Sequence, residues 1–530
     1  MQEYQIVHAA GRGRCFEAAK SFRPGDKIYS EEPYEAVLYD DSAANRCHHT
    51  FKDPEKLHRC TGCRFARYSS RDAQKAAWAN GHKEECAALK ACAPRTPPAT
   101  IRLAARVLWR HHRTSHNRDG LPECLETLEH HWDKLPDSRK QTFAQMAVLT
   151  REYMSGAGSM EAVEPKLIAY LIARFSCNNH TICNDELQMV GVGLYPVGAM
   201  VNHSCTPNAM QSFAGRRIVF RAIRPIAAGD EVTISYVELA ATRAERRAAL
   251  LAGYCFDIDA GRDPAAQLLA EKVLPEYKGV RAELKIYSAP PHSMDKCDAE
   301  LTSLSPDIGA NVALQDFTKA SLHPAAPQES ALEDEGLGSQ PVTMTQGPGI
   351  VIECWRTAGS QGEPQLLQEA EACAKIFCGA YVEHRNAEAS TAAGSPSGAI
   401  AAAARGLEHL DSCLPQSKDH IWRLRLLTVM LKAQILQGGC WYEALLVAEQ
   451  ITPFYERLYP QVWPNMGLHQ ASIAKLASLL ERDDTALRAT QAAVDTLKYT
   501  HPDSSILQHQ LHLRHALLDV RASQPSLDTD

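Results

Sequence analysis

The stretch Gly191–Tyr236, GVGLYPVGAMVNHSCTPNAMQSFAGRRIVFRAIRPIAAGDEVTISY, constrains this chain more than any other. Two short runs in it, Arg217–Ala222 and Glu231–Ser235, are rich in β-branched residues and are separated by a Pro-Ile-Ala-Ala-Gly-Asp turn. That pattern predicts small strands around a tight connection. Ahead of them, Asn202-His203-Ser204-Cys205-Thr206-Pro207-Asn208 is dense in side chains that cap and turn a backbone.

At 530 residues the chain is too long for one core, and three or four domains are expected. A net charge of −7 argues against non-specific nucleic-acid binding over the whole surface. Met1-Gln2-Glu3-Tyr4 shows no secretory signal, and no apolar run reaches the roughly 18 residues of a membrane span. Seventeen cysteines in such a chain point to thiols and metal ligands before disulfides. The expectation is a soluble protein of cytoplasm, nucleus or both.

The clearest ligand pattern is Cys60-Thr-Gly-Cys63 followed by His82-Lys-Glu-Glu-Cys86, the CxxC and HxxxC spacing of a structural zinc site. Gln74–Asn80, with Trp78, suits a short helix carrying the second pair. Buried thiols without metal are the plainer alternative.

Elsewhere, Lys27–Tyr29 and Ala36–Leu38 read as strands around a Pro24-Gly25-Asp26 turn. Ala99–His112 and Pro122–Leu135 carry apolar residues at helical spacing. Arg102, Arg106, Arg110, His111, His112 and Arg113 form either a basic patch or, the favoured reading, a solvated helix face. Thr242–Ala252 reads as a helix. Ser288 to about Gly349 is a Ser-, Pro-, Ala- and Gly-rich linker by composition, and Asn386–Ala403 repeats that character. His420–Gln437, Trp441–Glu456, Asn465–Glu481, Asp484–Lys498 and Ser505–Ala522 are amphipathic, a tetratricopeptide-like succession of helix pairs.

As ordered strings, NHSCTPN and GDEVTISY resemble the signature segments of SET-domain lysine methyltransferases, and Cys47–Cys86 resembles a MYND zinc finger. Together they are similar to the SET and MYND domain family of protein-lysine methyltransferases. The resemblance implies an α+β fold: a pseudoknotted SET β-core with an inserted MYND zinc finger and helical insert, followed by a carboxy-terminal all-α TPR-like domain. The implied divisions are 1–46 and 167–257 for the SET halves, 47–86 for the finger, and 87–166 for the insert. Residues 258–350 would be a degenerate post-SET segment with a low-complexity insertion, and 351–525 the helical domain.

The implied activity is methyl transfer from S-adenosylmethionine to a protein lysine, histone or non-histone, with Tyr236 orienting the amine. Arg12, Gly13, Arg14, Asn178, Asn202, His203 and Phe256 take the cofactor positions, with Tyr254 beside them. Cys15 stands where relatives often have glycine, and His180 where an apolar or aromatic residue is usual, as a lining group. The family's finger holds two zincs. Here Cys47 retains one ligand position of the first site while Thr50, Ser69 and Ala73 fill the others, so one structural zinc on Cys60, Cys63, His82 and Cys86 is expected. His48, His49 or His58 joining Cys47 is the alternative. Ile258, Ala260 and Asp263 replace the post-SET cysteines that would join Cys205, so no zinc is expected there and Cys205 and Cys255 become structural thiols. The other reading is a catalytically weak SET/MYND adaptor binding peptide partners through finger and helices.

Overall fold

The computed structural model describes residues 3–9, 12–114, 121–158, 163–258, 280–286, 342–345, 350–356, 379–413 and 421–523. These fall into two compact units: one holds Met1–Glu238 and Ala248–Ala260, the other Leu239–Arg247 and the carboxy-terminal helices.

The first unit is built on small sheets. Strands β1 (Tyr4–Ala9) and β2 (Gly13–Ala18) form a hairpin, and β3 (Lys27–Glu31) and β4 (Glu35–Leu38) follow. The finger supplies β5 (His58–Arg59) and β6 (Arg67–Tyr68), then the helices α1 (Arg71–Ala77) and α2 (Lys83–Cys92). The insert contributes α3 (Ala99–Thr114), α4 (Asp137–Ser155) and α5 (Pro165–Asn178). The chain then returns as β7 (Asn179–Cys183), β8 (Met189–Leu194), β9 (Asn202–His203), β10 (Ala209–Ala214), β11 (Arg217–Ala222) and β12 (Thr233–Ile234), before helix α6 (Arg243–Tyr254).

Strands far apart in sequence pair: β4 lies antiparallel to β8 with Glu35 opposite Leu194, and β11 lies between β10 and β3. Sheet β4-β8-β7 has both faces covered. Leu38, Ile182 and Val190 join Phe16, Ile28, Tyr195, Phe220 and Ile234 in one core, while Val37, Val192 and Leu194 join Leu103, Val107, Trp109, Met146 and Ile172 in another. This explains the continuous apolar run of β8 and its glycines. A Cβ on Gly191 would stand 2.4 Å from the Val37 carbonyl oxygen, so only glycine lets these strands approach.

Two readings of the insert are corrected. Pro122–Leu135 is no single helix: it holds one turn at Glu123–Glu126 and a 3₁₀ turn at Trp132–Lys134, with His131 at φ 47° between them. Arg102, Arg106 and Arg110 form no solvated face either, and only Arg113 among the arginines of α3 is exposed. Arg102 is fully buried and donates to the Leu38 carbonyl at 2.9 Å, and Arg106 bridges Glu35 and Glu85. Arg110 donates to the Tyr34 carbonyl and lies over its ring, while Arg113 reaches Glu84 at 3.3 Å. Spaced by about one turn, the guanidiniums of Arg102, Arg106 and Arg110 make a ladder turned into the protein.

In the second unit, Thr242 and Glu245 form a capping box: Thr242 N donates to the Glu245 carboxylate and Glu245 N to the Thr242 hydroxyl. Glu245 also holds Arg425 at 2.6 Å. Helices Ile421–Gln437, Trp441–Leu458, Pro464–Leu479, Asp483–Thr500 and Ser505–Ser523 follow, each within a few residues of its expected span. Asn386–Ala403 is corrected: residues 379–392 and Pro396–Cys413 are helical, their alanines packed in a core with Trp422, Leu427 and Phe454. Low-complexity composition there marks small residues for close helix packing. Of the other linker, residues 287–341 and 346–349 lie outside the described residues, and Val342–Thr345 is a strand. No described helix is long and apolar enough to cross a membrane.

Candidate active site and zinc centre

The segment Asp230–Ile234 threads between two others. Val232 N donates to the Phe16 carbonyl and Asp230 accepts from Ala18 N, on the β2 side, while β12 runs parallel to β9 with Thr233 opposite Asn202 and Ile234 opposite His203. Asn208 secures this junction: its Oδ1 accepts from Thr233 N at 2.7 Å and its Nδ2 donates to the Glu231 carbonyl at 2.8 Å. Sequence reasoning gave Asn208 no such role. Its signal was the asparagine closing NHSCTPN, ahead of a strand whose first donor needs an acceptor.

Tyr236 leaves β12 with its N–H donated to His203 Nδ1 at 3.0 Å and its hydroxyl donated to the Val201 carbonyl at 2.7 Å. Because Nδ1 accepts, the His203 proton sits on Nε2, which faces Cys205 Sγ at 3.4 Å. Tyr254 packs on Tyr236 with ring centroids 4.5 Å apart, and Phe256 lies 6.0 Å from the His203 ring. The Tyr254 hydroxyl is buried and meets no partner in the described structure. Burial pushes both phenols upward, so they stay protonated at neutral pH and can act only as hydrogen-bonding groups.

Arg12, Arg14, Asn202 and His203 converge around Glu231. Arg12 Nε lies 3.0 Å from its carboxylate and Arg12 Nη2 donates to the His203 carbonyl, while Asn202 Nδ2 donates to the Arg14 carbonyl at 3.0 Å and to Glu231 at 2.8 Å. Gly13 adopts φ +71°, and a Cβ there would meet nothing within 4 Å, so its backbone faces open space. Cys15 is buried in β2 beside Asn202, its thiol pushed up to about 11 by burial and by Glu231. Asn178 is engaged differently. At the end of α5 its amide donates to the Glu129 and Arg174 carbonyls, both at 2.8 Å, tying that helix to the insert. His180 is a buried core ring between Tyr195 and Phe220, hydrogen-bonded to Gln211 and pushed down to about 4 by burial. It stays neutral.

In the finger, the β5–β6 hairpin turns through Cys60-Thr-Gly-Cys63, closed by Cys60 N on the Ala66 carbonyl. A Cβ on Gly62 would stand 2.8 Å from Cys86 Sγ, so the turn requires glycine. Helix α1 is capped by Ser70, and Gly81 at φ +106° bends the chain to deliver His82 and then Cys86. The donor atoms of Cys60, Cys63, His82 and Cys86 all lie within 4.8 Å of one another. Cys60 Sγ to Cys86 Sγ is 3.7 Å and Cys63 Sγ to His82 Nε2 is 3.8 Å. Tetrahedral zinc with bonds of about 2.3 Å needs edges near 3.8 Å, so this set fits one zinc with no open position.

The Cys47 region differs. Its Sγ accepts from the Ser69 hydroxyl at 3.4 Å; burial alone would raise this thiol, but hydrogen bonds from Ser69 and Thr50 hold it below its ordinary value. His48 donates to the Ala43 carbonyl and packs on Phe65, and His58 is exposed. Among the described residues the Cys60 set is the group of His, Cys, Asp and Glu that comes together, and Cys47, His48, His49 and His58 form no such group. At the other degenerate site, Ile258 is a buried apolar residue and Ala260 and Asp263 lie outside the described residues.

Residues 13–237 match the family described as SET domain. The chain is 36% identical to histone-lysine N-methyltransferase SMYD3 of Mus musculus over 252 residues, 47% of this chain and 59% of that protein. To histone-lysine N-methyltransferase SMYD1 of Homo sapiens it is 34% identical over 275 residues, 48% of this chain and 55% of that protein. These matches span less than two thirds of either relative. Histone-lysine N-methyltransferase ASHR1 of Arabidopsis thaliana is 28% identical over 512 residues, 94% of this chain and 92% of that protein. Over residues 13–237 the chain is thus similar to SET domains, and over about half its length to the SMYD proteins.

Proposed function

We propose that this protein is an S-adenosylmethionine-dependent protein-lysine N-methyltransferase, acting on a histone or another protein in cytoplasm or nucleus. The observation that carries the reading is the pair of phenols: Tyr236 fixed on the Val201 carbonyl, and Tyr254 against it with a buried hydroxyl that meets no partner in the described structure. A buried hydroxyl left unmade costs stability, which suits a site that uses it on a ligand.

The bound cofactor would supply a sulfonium methyl. Arg12, Gly13, Arg14, Asn202, His203 and Phe256 are the groups to hold it: Gly13 presents open backbone, and the Asn202 amide keeps the Arg14 carbonyl in place. Asn178 would shape the wall from the end of α5. A free lysine titrates near 10.4, so at pH 7 fewer than about one in a thousand is neutral. The apolar surroundings of Tyr236 and Tyr254 disfavour the ammonium form and raise that fraction. The two hydroxyls would aim the neutral amine at the methyl that the cofactor supplies, and the methylated ammonium would release its proton to water.

Calorimetric titration with S-adenosylmethionine, with zinc content determined on the same sample, tests the reading. Micromolar binding and about one zinc per chain are expected. Tyr254→Phe removes a hydroxyl that meets no partner among the described residues, so the free protein keeps its stability or gains up to about 1 kcal/mol while methyl transfer to a histone mixture falls at least about tenfold. A second reading, a SET/MYND adaptor without turnover, is favoured by the buried Ile258 at a position where relatives carry a zinc ligand. A folded protein that binds no S-adenosylmethionine would favour the adaptor. In either reading the finger and the helical domain would take peptide partners.

A further inference from the structure

The segment that delivers His82 and Cys86 is gripped from outside the finger. His82 Nδ1 lies 2.9 Å from Glu85 Oε2, which leaves Nε2 as the donor turned toward the cysteines. The same Glu85 oxygen accepts from Arg106 Nη1 at 3.0 Å. Arg106 Nε donates to Glu35 at 2.9 Å, and Arg106 Nη2 reaches the Asn80 carbonyl at 3.3 Å. Two helical turns further on, Arg113 packs over Gly81, where a Cβ would meet its guanidinium at 2.8 Å, and pairs with Glu84. Glu35 and Glu85 are 5% and 6% exposed, so neither carboxylate can exchange its partner for water. Glu35 opens β4, which lies on β8, and β8 leads through Tyr195 to Asn202 and His203.

A zinc-bound histidine is held in orientation by what its second nitrogen donates to, and such outer partners change metal affinity by 10–100-fold. Here the outer partner does not end in the finger. We propose that Glu85 is a positioning residue for the zinc ligand His82, and that Arg106 and Glu35 extend it into a link by which the zinc centre and strand β4 of the SET core stabilise one another. The proposal rests on the Cys60, Cys63, His82 and Cys86 set holding zinc, and not on methyl transfer.

The test compares zinc affinity by competition with a colorimetric chelator in the full-length, zinc-loaded wild type, Glu85→Gln and Glu35→Gln, with circular dichroism confirming the fold. Glu85→Gln should weaken zinc by about 10–100-fold. Glu35→Gln touches no ligand, and should weaken it by about fivefold or more because linkage is reciprocal. Removing zinc from the wild type should speed amide exchange in Glu35–Leu38 and Gly191–Leu194. If zinc removal unfolds the whole unit, or Glu85→Gln does not fold, Glu35→Gln measured in the loaded state decides. Wild-type affinity in Glu35→Gln overturns the link to the core, wild-type affinity in both variants overturns the positioning role, and a wild type without zinc overturns both. A wild type that binds zinc but no S-adenosylmethionine sinks the methyltransferase reading and leaves this comparison intact.

Discussion

The two ends of the finger begin from similar residues and arrive at different physics. At one end Cys60, Cys63, His82 and Cys86 bring four donors together, with Glu85 orienting the histidine. At the other, Cys47 remains while Thr50, Ser69 and Ala73 stand at the remaining positions, and the thiol is satisfied by hydroxyls in a packed cluster with Tyr68 and Ala73. A metal site is cooperative in its donors: with one of four retained, hydrogen bonding and burial take over. Cys205 repeats the lesson, facing the Nε2 proton of His203 while Ile258 fills apolar space. A cysteine count therefore overstates the metals a chain can hold.

The largest test of that contrast is Cys60→Ser. Structural zinc in finger peptides is worth on the order of 10 kcal/mol of apparent binding energy, so zinc content should fall from about one per chain to none and the finger should lose amide protection. Retained zinc would erase the difference between the two ends.

Tyr236→Phe comes next. Removing a preorganised hydrogen-bonding group from a reacting centre costs about 100-fold or more in turnover, and the lost bond to Val201 only about 1 kcal/mol of stability. Methyl transfer and S-adenosylmethionine binding, measured together, should separate: transfer collapses while binding persists. Unchanged turnover would remove Tyr236 from its proposed role.

Acid sharpens the contrast through His48. Burial pushes this ring down to about 4, against about 6.5 in the unfolded chain. Between those values the unfolded state binds the extra proton, so the stability His48 contributes is full above about pH 6.5 and is lost as pH falls toward 4, by at most about 1.4 kcal/mol per unit. Urea unfolding of wild type and His48→Gln at pH 7 and pH 5 should show the smaller loss in the variant. A His48 that ligated metal would change zinc content instead.

Smallest of all, Cys47→Ala and Cys205→Ala should each leave zinc content unchanged and cost about 1 kcal/mol in thermal unfolding. Zinc loss in Cys47→Ala alone would mean that the first site is alive after all.

Much of this was legible. The β-branched runs of Gly191–Tyr236 became β11 and β12, and the CxxC and HxxxC pairs came together, because zinc-knuckle spacing and strand alternation are local. Asn386–Ala403 misled because alanine-rich composition reads alike in a linker and in a tightly packed helix pair. Pro122–Leu135 misled because its apolar spacing serves a loop folded onto α5, with Leu125, Leu128 and Leu135 all buried.

By itself, the sequence determined the donor chemistry, the strands of Gly191–Tyr236, the five carboxy-terminal helices from Ile421 onward and the phenol that ends GDEVTISY, since each depends on residue type and short-range spacing. The tertiary structure alone decided the direction of the arginines of α3 and the neighbour of Tyr254. Arginines spaced by a helical turn look the same whether they face water or buried carboxylates. Glu35, Glu85 and Arg106 lie far apart along the chain until strand pairing and helix packing close the distance to hydrogen-bond range.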